Sequence, residues 1–206
     1  MKIDPIILLT IAVLVIFLIL GAMIYKPIFE DPKTVFKEEP LQKDKDFQLS
    51  PGEKYVYATT LNNTQINMTY TIGQGPGCVI IKFMESLNLS ESCLDKRGMD
   101  ALGYNSTLEN PHMLLFKPWM LALRENWHWS STMYLSYDGV LHPVERSEYR
   151  VIRMEEYNNR TAFVVEIKAQ GGAIEYEWVD MEKRMLLKTA GPGYEVRLVE
   201  GINFTK

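Results

Sequence analysis

The chain has 206 residues, which is enough for one domain and an appendage. It carries 22 basic and 26 acidic side chains, a formal net charge of −4. No basic block occurs, and this argues against nucleic acid as a partner.

The first predicted element is a transmembrane helix within residues 1–25. Residues 6–25 contain no charged side chain, and at 1.5 Å rise per residue they span about 30 Å, the thickness of a bilayer's hydrocarbon core. A cleaved signal peptide is the alternative, but its apolar run is shorter and ends at a small-residue site. Here Gly21 and Ala22 are followed by large apolar residues. The pattern favours an uncleaved anchor that binds the membrane through residues 6–25.

Residues 26–53 are predicted to form a charged, proline-containing stalk between this anchor and the domain at 54–206. Proline fixes φ and blocks helix and sheet, so this segment should be extended and solvated. Four apolar residues are exceptions, which we expect either to pack along the domain or to lie at the membrane surface: Ile28, Phe29, Val35 and Phe36.

The side of the membrane is indicated by Asn-x-Ser/Thr motifs, which mark surface positions in exported proteins. The lysines that follow the helix weakly favour the opposite orientation. Chance would give about one such motif for the asparagines present, and clustering of Asn and Thr in turns is the alternative explanation. We therefore predict a single-pass cell-membrane protein with its C-terminal domain outside. The predicted glycosylation sites are six: Asn62, Asn67, Asn88, Asn105, Asn159 and Asn203.

The two cysteines, Cys78 and Cys93, are predicted to form a disulfide in this extracytoplasmic domain. On the chain-entropy model, closing this loop with a disulfide would raise the free energy of unfolding by about 3 kcal/mol. Two unpaired buried thiols are the alternative. Neither a metal site nor a cofactor is predicted, because no second Cys or His pair stands at ligand spacing.

From residue 54 the sequence is typical of β-strands. Lys54–Leu61 and Ile66–Ile72 are rich in β-branched and aromatic residues, and the residues between them predict a hairpin turn. The glycines at 73–77 lack the lysine and helix of a phosphate-binding loop, so they predict a turn before a strand at Cys78–Met84. Residues 85–110 are predicted to be irregular and pinned by the disulfide.

One helix is predicted in this domain, at Pro111–Asn126, with a kink at Pro118. The segment is apolar nearly all round. It is interpreted either as a helix buried against the sheet or as a lid over an apolar cavity or a segment touching the bilayer. The predicted face for an apolar ligand or partner consists of Met113, Leu114, Phe116, Trp119, Met120, Leu123, Trp127 and Trp129.

Beyond Trp127 short strands and turns alternate about every 8–12 residues. Polar and apolar residues alternate in Ile174–Val179, which predicts one buried and one wet face, with Glu175 and Glu177 as solvated charges. The predicted fold class is mainly β, of the α+β type: an N-terminal transmembrane helix and a curved antiparallel sheet packed with one helix.

Residues 127–199 resemble the C-terminal half of the lipoprotein-carrier-like envelope proteins. The resemblance is carried by Arg160–Ile167, Glu177–Lys188 and Tyr194–Val199, and the Trp-Val-Asp step at Trp178 is the best match. It implies a curved antiparallel sheet that wraps a helix or an apolar ligand. It implies no functional residue.

The sequence contains no recognisable catalytic constellation, so we predict that the protein is not an enzyme; a catalytic site that the sequence does not reveal is the remaining alternative. The three histidines lack ligand spacing and no Gly-x-Ser-x-Gly elbow occurs. The leading hypothesis is a binding or scaffolding module of the cell envelope that holds a lipid-like ligand or a partner protein. The alternative is a structural accessory subunit of a membrane complex or surface layer. A large apolar cavity would favour the former, whereas a filled core with exposed apolar residues would favour the latter.

Overall fold

The computed structural model describes residues 33–61, 64–85, 88–95, 98, 114–137 and 139–201. Within these ranges no helix is long and apolar enough to cross a membrane. Several predictions lie outside the described residues: the transmembrane helix in 1–25, three of the glycosylation sites and one residue of the apolar face. These residues are Asn62, Asn105, Asn203 and Met113.

The described chain forms one large antiparallel sheet of eleven strands. Across the sheet their order is β1-β6-β7-β8-β9-β10-β11-β2-β3-β4-β5, so most neighbours in sequence are also neighbours in space. The predicted mainly β class is confirmed. The strands are β1 Lys33–Glu38, β2 Lys54–Leu61, β3 Thr64–Gly75, β4 Cys78–Glu85, β5 Asn88–Leu94, β6 His128–Tyr137, β7 Val140–Tyr157, β8 Arg160–Ala169, β9 Ile174–Asp180, β10 Leu186–Gly191 and β11 Tyr194–Glu200.

The β7–β8 hairpin shows how turn chemistry sets the register of the sheet. Tyr157 pairs with Arg160 across a two-residue loop of Asn158 and Asn159. Both asparagines have positive φ, 49° and 60°, as the two central residues of a type I′ turn require. Asparagine tolerates this conformation, so the Asn-Asn turn fixes which residues of β7 and β8 face the same side.

The predicted helix at Pro111–Asn126 is wrong for the residues that the structure describes. Only Pro118–Ala122 are helical, in a short 3₁₀-helix flanked by extended Lys117 and Leu123. Proline disfavours helix in the residue before it and lacks the N–H that a longer helix would use. The middle of the segment is apolar because the protein encloses it: Trp119–Ala122 are all buried.

The segment at 39–53 has no helix or strand, yet it packs against the sheet domain. The backbone N–H groups of Asp44 and Lys45 donate to the carbonyl oxygen of Leu121 at 2.9 and 3.1 Å. Leu49 is buried in the core. The sequence predicted that the stalk is solvated through residue 53. The structure differs for residues 39–53, because a few apolar side chains and backbone hydrogen bonds attach this stretch to the domain.

The chain divides into two compact units. One contains the described residues 33–35 together with Met133–Val144. The other contains Phe36–Thr132 and the residues from Glu145 onwards. The whole hydrophobic core cluster belongs to the second unit, where it joins the buried face of the strands to the segments at 39–53 and 114–127.

Candidate functional site

Six of the seven described residues of the predicted apolar ligand or partner face lie in the protein's own core. Leu114 packs against the core cluster and is only partly buried. Trp119 stacks on Trp127 with ring centroids 5.8 Å apart, and Trp127 on Trp129 at 6.3 Å. The structure thus brings the described members together, but against each other and the sheet. Those in the core cluster are Phe116, Trp119, Met120, Leu123, Trp127 and Trp129.

A charged pair lies inside this apolar core. Glu177 on β9 is fully buried, and Lys117 Nζ donates a hydrogen bond to its Oε1 at 2.7 Å. The same ammonium group lies 5.9 Å from the centroid of the Trp119 ring. Lys117 is the residue just before the 3₁₀-helix, so the irregular segment brings a positive charge to the middle of the sheet.

Strand β9 places Glu177 on the buried side, so its interpretation as a solvated charge was wrong. Glu177 pairs with Val165, and Val179 with Phe163; all four are buried. The alternation was therefore recognised, but the two faces were assigned the wrong way round. Trp178, between the two buried residues of β9, points to the opposite face.

That opposite face carries an aromatic and ionic arrangement of its own. The Nζ of Lys188 lies 4.9 Å from the centroid of Trp178, whose Nε1 donates to Glu155. Tyr157 contacts the same indole at 6.5 Å between ring centroids. These contacts satisfy the polar atom of Trp178, which is partly buried and also packs against the core cluster.

A second carboxylate extends the buried pair into a polar cluster. Thr189 pairs with Glu177 across β10 and β9, and its hydroxyl donates to Glu175. Tyr194 also hydrogen-bonds Glu175; burial and this bond raise the pKa of Tyr194 to about 12. We refer to Lys117, Glu175, Glu177, Thr189 and Tyr194 as the Glu177 cluster.

The electrostatics of the cluster follow from its burial. Burial raises the pKa of Glu177, and Lys117 offsets only part of this rise. For Lys117, burial lowers the pKa but the neighbouring Glu177 carboxylate outweighs it, so the net shift is upward. Lys117 therefore stays charged at neutral pH, and it is the group that makes an ionised Glu177 tolerable in the core.

Two buried polar atoms near this pair have no hydrogen-bond partner among the described residues. They are Oε2 of Glu177, an acceptor, and Nε1 of Trp119, a donor. Buried polar atoms in folded proteins are nearly always paired with protein, water or ligand. Each of the two atoms is therefore of the kind that an ordered water or a bound molecule satisfies.

The predicted disulfide between Cys78 and Cys93 is confirmed. It joins β4 to the edge strand β5, with the two Cα atoms 5.6 Å apart. A groove of about 420 Å³ lies beside it, lined by apolar side chains and rimmed by two acids. Its lining includes Phe47, Leu49, Val79, Leu94, Asp46 and Asp95.

Three of the predicted glycosylation sites fall on described residues. Asn67 on β3 and Asn159 in the β7–β8 turn are exposed, and Asn88 begins β5. The Oδ1 atom of Asn67 accepts a hydrogen bond from Gln65 at 3.0 Å. An N-glycan attaches through Nδ2, so this contact is compatible with the predicted modification.

In the part of the chain that the structure describes, no group of three or more His, Cys, Asp or Glu residues is placed to hold a metal ion. No protein-family model, curated protein or solved structure matches the chain. The resemblance of residues 127–199 to the lipoprotein-carrier-like proteins therefore stays an expectation from the sequence.

Proposed function

We propose that this chain is a membrane-anchored glycoprotein of the cell envelope whose β domain scaffolds partner proteins outside the membrane. Residues 6–25 would hold it in the bilayer. The domain would work as an accessory subunit that presents surfaces, instead of enclosing a lipid-like ligand.

The observation that carries this choice is the packing of the predicted ligand face. Phe116, Trp119 and Leu123 are each 0% exposed, in contact with the protein's own core. A carrier of apolar molecules needs such side chains around a concave cavity. Side chains already buried against one another have no apolar area left to bury against a ligand. Large apolar residues are instead exposed on strand surfaces, including Val140 and Val144.

A second candidate function, binding of a small polar-headed molecule, is favoured by the Glu177 cluster. Oε2 of Glu177 and Nε1 of Trp119 are buried and have no partner among the described residues. A bound molecule that donates a hydrogen bond to the carboxylate would remove the cost of leaving this buried acceptor without a partner. The second candidate therefore rests on this cluster, and the first on the filled apolar face.

Native mass spectrometry of the protein extracted in mild detergent from its own host, before and after glycan removal, tests these proposals. We expect protein partners at fixed stoichiometry and a mass loss on deglycosylation. One lipid-like molecule per chain would overturn the scaffolding proposal. Absence of glycan from every motif would contradict the outward placement.

Two variants act as matched controls in this experiment. Asn67→Gln removes one exposed glycosylation motif on β3, so it should lower the intact mass by one glycan and leave partner binding unchanged. Glu177→Gln removes the buried carboxylate. If a small molecule copurifies with the native chain and is lost from Glu177→Gln alone, the second candidate replaces the first.

A further inference from the structure

The end of the β6–β7 hairpin carries an unusual concentration of exposed apolar side chains. We call residues Met133–Val144 the hairpin tip. Of the seven large hydrophobic residues that are exposed in the described chain, three lie in it: Tyr137 at 46%, Val140 at 57% and Val144 at 48%. The tip belongs to the first compact unit, not to the one that contains the hydrophobic core.

The hairpin tip is also nearly free of charge, although it continues into a highly charged strand. Residues 130–144 contain one acid, Asp138, and no lysine or arginine. From Glu145 to Glu156 the same strand β7 carries seven charged residues. Such an abrupt change along one strand indicates that its two parts meet different surroundings, an apolar one at the tip and water beyond Glu145.

The chain enters the sheet close to this tip. β1 is the neighbour of β6, and its residues 33–35 belong to the same compact unit as Met133–Val144. Seven residues, 26–32, separate Lys33 from the apolar run at 6–25. Even fully extended, they reach only about 25 Å. If residues 6–25 lie in a bilayer, the start of β1 and the tip beside it are held within that distance of its surface.

We infer that the hairpin tip inserts into the headgroup layer of the bilayer that anchors the chain. The inference rests on the membrane anchorage proposed above. Tyr137, whose ring contacts His142 at 5.7 Å between centroids, is of the residue type favoured at membrane interfaces. Val140 and Val144 supply apolar area to bury between the headgroups. The sequence of the tip contains one carboxylate, Asp138, and a carboxylate is costly in the hydrocarbon core but not at the interface, so insertion stops at the headgroup layer.

The insertion adds a second contact between the chain and the membrane. A single helix and a seven-residue connection leave the first compact unit free to rotate above the membrane, whereas a second contact at the tip fixes the orientation of that unit. Lys33, exposed on β1, adds a positive charge suited to phosphate headgroups.

A single-cysteine fluorescence experiment on the full-length chain tests the inference. The two native cysteines are joined, so an introduced cysteine is the sole thiol to label. Val140→Cys probes the tip. Val199→Cys on β11 and Met154→Cys in the charged part of β7 are matched controls, because they replace apolar residues 42% and 43% exposed outside the hairpin tip. Each variant carries an environment-sensitive dye and is assembled at one copy per nanodisc of phosphatidylcholine and phosphatidylglycerol.

At position 140 we expect a blue-shifted emission that lipids with a nitroxide near the headgroup quench by about half, with little quenching by aqueous iodide. At 199 and 154 we expect the reverse. Equal responses at all three positions would overturn the inference while leaving the anchorage intact. A lipid response at 140 that appears only with two copies per disc would overturn it in favour of a second copy of the chain. Failure of the chain to assemble into discs would overturn both the anchorage and the inference.

Discussion

Lys117 and Glu177, sixty residues apart in the chain, meet in the core through a hydrogen bond of 2.7 Å. The carboxylate is fully buried, and a quarter of the lysine side chain is exposed. The pair ties the irregular segment around Trp119 to the middle of strand β9. Removing one partner of such a pair destabilises a protein more than replacing both partners with apolar residues, because the remaining charge is left in a medium that solvates it poorly.

Lys117→Met should therefore destabilise the protein by about 3–5 kcal/mol, since it leaves Glu177 buried without its counter-charge. Glu177→Gln should cost less, because a neutral amide remains, and Lys117→Met combined with Glu177→Leu should recover much of the loss. Urea unfolding of the full-length chain in detergent measures each value. Arg146→Met, in a half-exposed pair with Glu148, is the control and should change stability by about 0.5 kcal/mol or less. Additive losses in the double variant would contradict the coupling.

The buried Glu177 also predicts a direction for the pH dependence of stability. Its pKa in the folded protein lies above the reference value of 4.5, because burial outweighs the attraction of Lys117. The folded state thus holds this proton more tightly than the unfolded state does. The associated stability is fully present below pH 4.5 and is lost as the pH rises through the folded pKa. As the pH rises from about 4.5 to about 8, the Tm of Glu177→Gln should therefore fall less than the Tm of the native chain.

Glu53 should behave in the opposite way and provides an internal control. Burial opposes its ionisation, but Lys183, the N–H of Ser50 and the hydroxyl of Tyr55 together lower its pKa below 4.5. Its stabilising contribution is present above that value and is lost as the pH falls through the folded pKa. Glu53→Gln should lower the Tm at neutral pH, where this contribution is present in the native chain, and should flatten the acid side of the Tm profile without changing its slope near neutral pH. Superimposable profiles for the native chain and both variants would rule out the two assignments.

Most strands of the β domain and the disulfide could be predicted from the sequence because their signals are local, but β1 lies in the predicted stalk and β5 in a stretch that was predicted to be irregular. Lys54–Leu61 was predicted with its observed bounds, since β-branched and aromatic residues are bounded by turn residues. Which face of β9 is buried could not be predicted. Strict alternation defines two faces but not their orientation, and hydrophobicity alone favoured Tyr176 and Trp178 inside. The neighbouring strands decided otherwise, because the β9 partners of Phe163 and Val165 must share their buried face.

The helix at 111–126 was predicted from a long apolar run alone. Because the run has no polar face, it shows no hydrophobic periodicity that could distinguish a helix from another buried conformation. Apolarity on every side is equally typical of an irregular segment enclosed by a core. One signal for the Glu177 cluster was nevertheless present. Lys117 is the single charge between Met113 and Leu123, and a charge in a buried segment requires a partner of opposite sign. The identity of that partner depends on tertiary structure, since Glu177 is distant in the chain.

The disulfide should stabilise chiefly the outer edge of the sheet. Cys78→Ser combined with Cys93→Ser should lower the free energy of unfolding by about 3 kcal/mol, the value for a loop of this length. Backbone amides of β5 should exchange with deuterium faster, because β5 is an edge strand with β4 as its neighbour. Glu91→Gln, in the same strand and in a half-exposed pair with Lys82, is the control and should alter neither quantity appreciably. Unchanged exchange in β5 would show that the strand does not depend on the bond.

Two glycines of positive φ separate the effect of backbone strain from that of close packing. Gly193 has φ of 82° and open space around an added Cβ, whereas at Gly201, with φ of 122°, that atom would lie 2.2 Å from the carbonyl oxygen of Lys54. Gly193→Ala should cost about 1 kcal/mol through strain alone. Gly201→Ala should cost about 3 kcal/mol or more, because the backbone of β2 must move away from β11. Urea unfolding of the two variants compares them directly. Equal losses would mean that residue 201 can withdraw from β2 without disturbing the sheet, and that the tight contact there does not hold β11 in place.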